Sequence, residues 1–160
     1  MDKPKILIMG IGNVLLSDDG FGVHVVHKLK NLQEQDKFDK NIEIVDGGAA
    51  GIDILYYIED QDILIFVDAI KGGNEPGYIY EFRINNLNLF KEIRITSLHD
   101  LELTSVLKIA KEMGTLPKNT YLVGVEPENY TQFSMELTPK IKEKIDEIID
   151  IIKKIIQKQF

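Results

Sequence analysis

The sequence predicts an α/β fold of three layers, a mostly parallel, twisted five-stranded sheet with helices on both faces. Three observations predict it. Strand-like apolar runs alternate with helix-like stretches along almost the whole chain, an order that lays parallel strands between crossover helices. The run Ile63-Leu64-Ile65-Phe66-Val67 contains no polar residue, as in a strand covered on both faces. The chain has 160 residues, enough for one ordinary domain over 1–160 that buries roughly 70% of its unfolded surface without a covalent staple. It contains no internal repeat, low-complexity tract or interdomain linker.

The elements follow in order. Lys5 to Gly10 (KILIMG) reads as the first buried strand, bounded by Gly10 and Gly12. Ser17 is placed to cap the next helix, where Phe21, Val25, Leu29 and Leu32 recur at intervals of four, four and three and make one apolar face. Ile42 to Val45 is a second short strand closed by Asp46-Gly47-Gly48, and Ala50 to Ile58 is a helix. Asp62 to Ile70 is the third strand. Lys71 to Gly77, with three glycines and a proline, is a loop. Tyr78 to Arg83 alternates and reads as an edge or antiparallel strand. Asn85 to Ile95 has no decisive pattern. Ser97, with Asp100 three residues on, has capping-box form and opens a helix bearing Leu103, Val106, Leu107 and Ala110 on one side; Gly114 and Pro117 end it. Thr120 to Val125 is the fifth strand. Thr138 as N-cap and Pro139 at the first helical position open the last helix, whose stripe is Ile141, Ile145, Ile148, Ile149, Ile152, Ile155 and Ile156.

Composition narrows the function. Cysteine is absent, which excludes disulfides, thiolate metal sites and a cysteine nucleophile, and suits a reducing cytoplasm. The apolar run Ile6 to Met9 is too short for a signal segment, and Ile148 to Ile156 is broken by Asp150, Lys153 and Lys154, so neither is expected to meet a membrane. Nineteen Lys and Arg against 26 Asp and Glu leave a net charge of −7. Phosphate backbones repel such a chain, so nucleic acid is not an expected partner.

In open α/β sheets ligands sit beyond the carboxyl ends of the strands, and those ends are acidic here. The first strand leads to Gly10-Ile11-Gly12-Asn13 and then Ser17-Asp18-Asp19-Gly20; the second ends in Asp46-Gly47-Gly48; the third ends at Asp68. All three acidic groups are expected on one edge. Asp68 is the sharpest signal, because a charge closing a buried strand is costly unless it is paired, satisfied by loop N–H groups or bound to a metal. Asp18 and Asp19 suit the positive end of a helix dipole, but Gly20 and Gly22 beside them point to close approach of a ligand or of another chain segment. His99 at a helix start would have its imidazolium disfavoured by the dipole, and neutral imidazole is the metal-binding form; it could equally cap the helix or face solvent. Two aspartates and a histidine suit nickel, zinc or iron and leave coordination positions open.

Other candidates are weaker. His24 and His27 stand three apart but lack an H-E-x-x-H context and a third ligand, so a surface or packing role is expected. Ser17, Ser97, Ser105 and Ser134 never occur in G-x-S-x-G. Gly10-x-Gly12 lacks the third glycine of a dinucleotide fingerprint, Leu15 standing there. Asp46-Gly47-Gly48 is expected to be a strand-ending turn rather than an aspartic-protease turn.

The segment GIGNVLLSDDGFG (Gly10 to Gly22) resembles the opening motif of the nickel–iron hydrogenase maturation proteases. IVDGGAAG (Ile44 to Gly51), LIFVDAI (Leu64 to Ile70), SLHDLEL (Ser97 to Leu103), LVGVEPE (Leu122 to Glu128) and LTP (Leu137 to Pro139) follow in that family's order and spacing. The resemblance implies a cytoplasmic endopeptidase that removes a C-terminal extension from a hydrogenase large-subunit precursor after nickel insertion, so that the new C-terminus closes the active site. It implies nickel-contacting positions at Asp19, Asp68 and His99, with Asp19 and Asp68 as the catalytic carboxylates. Asp19 stands where some members carry the longer Glu. It further implies that nickel arrives with the precursor and that no organic cofactor is needed. Two roles for the metal stay open. It could polarise the scissile carbonyl or activate a water, or it could only dock the precursor while Asp19 or Asp68 acts as base. Rival readings are a non-catalytic metal-delivery or chaperone-like module with the same ligands, and an RNA-directed hydrolase. For the latter, GIGN resembles the G-L-G-N start of peptidyl-tRNA hydrolases, against which the charge of −7 and the Asp18-Asp19 pair count.

Overall fold

Two runs that read as continuously apolar form the middle of the sheet: β1 (Ile6–Ile11) and β3 (Ile63–Ala69) are buried at every residue. A computed structural model describes residues 2–48, 51, 53–84 and 98–159, the side chains of 98–102 excepted. With β2 (Glu43–Gly48), β4 (Ile79–Arg83) and β5 (Asn119–Val125), the strand order is β2-β1-β3-β5-β4. All pairings are parallel except that of β4, which runs antiparallel to β5 at the edge. Gly10 pairs with both Asp46 and Val67, and Asp68 pairs with Gly124, so the carboxyl ends of the parallel strands are level.

The two-residue period of the strands divides the core into two layers. Ile6, Ile8, Ile65 and Val67 pack under α1 (Phe21–Glu34) and, through Ile148, Ile149, Ile152 and Ile155, under the last helix. Leu7, Met9, Leu64 and Phe66 face α2 (Ile54–Ile58) and α3 (Leu98–Met113), the latter through Leu103, Val106, Leu107 and Ala110. By the same period Asp68 belongs to the α3 face. The end of α3, near Gly114 and Leu116, shares a cleft with Arg83 and Ile84 at the amino edge of the sheet. A 16-residue helix is about 24 Å long, close to the roughly 23 Å of a seven-residue strand. The start of α3 therefore reaches the carboxyl edge.

Several local expectations are corrected. Ser17 does not cap α1. It takes a left-handed φ of 52° and heads a 3-10 turn, Ser17–Gly20, that precedes α1, and its hydroxyl donates to the Glu136 carbonyl at 3.0 Å. Thr138 holds the expected N-cap position before Pro139 and its carbonyl accepts the Ile141 and Lys142 N–H groups, but its hydroxyl donates to Asp18 and makes no cap hydrogen bond. The last helical stretch is two pieces, α4 (Pro139–Lys142) and α5 (Ile145–Gln157), along which the isoleucine stripe continues. Among the described residues the helix expected over 50–58 forms only as α2. The stretch from Asn85 to Ile95 and the box at Ser97 lie outside the described residues. No described helix is long and apolar enough to cross a membrane.

The glycines beside Asp19 answer to a chain segment. A Cβ on Gly22 would stand 2.0 Å from the Val67 carbonyl oxygen and 2.5 Å from that of Ile11. Only a bare α-carbon lets the first turn of α1 press on the ends of β1 and β3. That contact sets the height of the preceding 3-10 turn against the residue next to Asp68.

Candidate active site

Asp68 stands one residue from the end of β3 and is 2% exposed. Beside it Gly124 supplies no side chain; a Cβ there would come within 2.1 Å of the Asp68 carbonyl oxygen. Asp19 lies in the 3-10 turn, which packs on β3, and is equally buried. Its Oδ2 accepts the Asn13 N–H at 3.1 Å, and the Lys71 ammonium lies 3.2 Å from its Oδ1. Two carboxylates sunk at one sheet edge are expensive to keep charged without compensation, and carboxylate oxygens are ready donors for a divalent metal.

Asp18 has a different task. It is fully buried, and its carboxylate accepts the N–H groups of Glu128 (3.0 Å), Asn129 (2.9 Å) and Thr138 (2.8 Å) together with the Thr138 hydroxyl (2.8 Å). Ser17 and Ser134 extend this attachment: the Ser17 N–H donates to the Ser134 carbonyl at 2.8 Å, and the Ser134 N–H to that of Leu15 at 3.0 Å. Asp18 thus fastens the segment after β5 onto the turn that presents Asp19. Both acids do lie in the short helical turn that leads into α1, where a helix dipole favours negative charge, but their hydrogen bonds give them tasks beyond that.

Glu126 was not anticipated from the sequence. Only 6% exposed, it accepts at Oε1 the N–H groups of Gly72 (3.0 Å) and Asn74 (2.8 Å) and the Tyr80 hydroxyl (2.7 Å). Burial, countered by Asn74 and reinforced by Glu126, raises the Tyr80 pKa above 10.0, so the phenol keeps its proton to donate. Glu126 in this way shapes the loop 71–77 that carries Lys71. The signal was available: as Asp68 follows a buried apolar run within β3, Glu126 follows the buried run Leu122-Val123-Gly124-Val125 that ends β5.

Asp46 shares the edge but takes the α1 face, where its Oδ2 pairs with His27 Nε2 at 2.9 Å while its Oδ1 accepts the Gly48 N–H at 3.0 Å. The turn expected at Asp46-Gly47-Gly48 is instead the end of β2 itself, whose pairing with β1 shifts register between Asp46 and Gly48. His24 lies half-buried in a cleft with Met135, Glu136 and Leu137; burial first, then neighbouring His27, lowers its pKa below 6.5, leaving it neutral. His99 is the second residue of α3, whose start is at the carboxyl edge on the face of Asp68; its side chain lies outside the described residues. Among the described residues no three His, Cys, Asp or Glu side chains form a metal-holding group.

Comparison with known proteins bears on this arrangement. A sequence model of the family described as hydrogenase maturation protease matches residues 23–155. The hydrogenase expression/formation protein HupD of Thiocapsa roseopersicina is 34% identical over 148 residues, 92% of this chain and 66% of that protein. HupD of Bradyrhizobium diazoefficiens is 34% identical over 147 residues, 92% of this chain and 75% of that protein. The solved structure of the hydrogenase maturating endopeptidase HybD from E. coli superimposes with a TM-score of 0.85 at 32% identity, covering 97% of this chain and 93% of HybD.

Proposed function

This chain belongs to the hydrogenase maturation protease family, and on that premise we propose that it is the endopeptidase that removes the C-terminal extension of a nickel–iron hydrogenase large-subunit precursor once nickel is in place. One observation supports this most. The buried carboxylates of Asp19 and Asp68 stand at a single sheet edge, to which α3 also brings the backbone of His99. Nickel enters as part of the precursor, and Asp19, Asp68 and His99 take up its remaining positions. Cleavage adds water across one peptide bond: the hydroxyl goes to the carbonyl carbon, the C–N bond breaks and the leaving amine gains the proton. The metal supplies Lewis acidity, and a carboxylate at this edge accepts the proton of the water. Protein and precursor meet in the cytoplasm.

Mass spectrometry of the large subunit tests this. After incubation of the nickel-loaded precursor with the protein, the large subunit is expected to be lighter by the mass of its extension. A stable complex with the large subunit at its original mass would instead identify a metal-delivery module and overturn the proposal.

A further inference from the structure

Lys71 brings an unusual positive charge to this edge. It follows Ile70 directly after β3; its side chain is 12% exposed, and its ammonium lies 3.2 Å from Asp19 Oδ1 and 4.4 Å from the centre of the Tyr130 ring. An ammonium buried this far persists only where its charge is compensated, here by a carboxylate and an aromatic face. Glu126 fixes the loop behind it through the N–H groups of Gly72 and Asn74. With Asn13 on Oδ2 and Lys71 against Oδ1, both oxygens of Asp19 are already engaged.

We propose that Lys71 is a built-in counter-cation for Asp19. It holds Asp19 Oδ1 while no precursor is bound and yields that oxygen to nickel that arrives in the precursor. A free divalent ion would have to displace the ammonium with only the ligands of this chain. Nickel seated in the precursor has its own ligands and the contact between the two proteins to offset that displacement. Lysine suits the task because its ammonium is compact and well hydrated on a flexible four-carbon stem, so it can withdraw to water. The device gives selectivity for metal delivered in the substrate over metal in solution. It rests on the nickel-recognition proposal above.

The test is calorimetric titration of the protein with nickel chloride alone. Lys71→Met is expected to bind nickel at least about ten-fold more tightly than the unaltered protein, the scale of removing one adjacent like charge from a partly screened site. Lys71→Arg keeps the cation and the weak binding. Tyr130→Leu, at a position 40% exposed, loosens the ammonium and gives a smaller gain in the same direction; it carries the test should Lys71→Met not fold. Adding Asp19→Asn to Lys71→Met abolishes the gain. Unchanged or weaker nickel binding in Lys71→Met, or in Tyr130→Leu if that variant alone folds, overturns the proposal, as does a gain that survives without Asp19. The broader proposal is judged separately, by whether the unaltered protein distinguishes nickel-loaded from nickel-free precursor.

Discussion

Replacing Asp68 by asparagine is expected to slow cleavage of the nickel-loaded precursor on the order of 10³-fold, the scale of losing a positioned acid–base group, while the melting temperature moves by no more than a few degrees. Asparagine keeps the shape of the side chain and one carbonyl oxygen in the same 2%-exposed position. It removes the negative charge that the proposed roles of metal ligand and base require. Removing a charge from a buried site spares its desolvation, so stability need not fall. His99→Ala is expected to lose cleavage with Asp68→Asn. The check is the rate of large-subunit shortening alongside a thermal melt. Normal cleavage in both variants would remove these residues from the site.

Replacing Asp18 by alanine should do the reverse of replacing Asp68, damaging stability first. Three backbone N–H groups and one hydroxyl lose a buried acceptor at once. Buried donors left unsatisfied cost roughly 1–3 kcal/mol each, with water and relaxation recovering part of it. A loss of about 3–5 kcal/mol in urea unfolding follows, which for a chain of 160 residues lowers the melting temperature by roughly 10 °C. Asp18→Asn, which retains an acceptor oxygen, should fall between. A loss under about 1 kcal/mol for Asp18→Ala would mean that the segment from Glu128 to Thr138 is held by something else. The expected contrast gives two adjacent aspartates in one short turn separable duties: Asp18 in holding the fold, Asp19 in the proposed site.

The architecture was legible because its signals are local. The apolar run of β3 announces a strand buried on both faces, the alternation of Tyr78 to Arg83 announces an edge, and the isoleucine stripe announces a helix on the sheet. Asp68 could be singled out for the same reason, since its oddity lies in its immediate neighbours. What stayed hidden depends on distant partners. The Asp18 carboxylate is met by groups 110 to 120 residues away, and Glu126 gathers the loop 52 to 54 residues before it. Ser17 has the composition of a helix cap, yet its hydroxyl is drawn to Glu136, 119 residues on. Lys71 looks like any loop lysine until folding sets it between Asp19 and Tyr130. A pattern that compares neighbours cannot weigh such pairs, and here they support the turn and loop around Asp19.

The most direct measurement is the mass of the large subunit after equal incubations of the protein with nickel-loaded and nickel-free precursor. Recognition of nickel by Asp19, Asp68 and His99 predicts loss of the extension from the loaded precursor and none from the nickel-free one. Equal shortening of both would show that the metal takes no part in recognising the substrate.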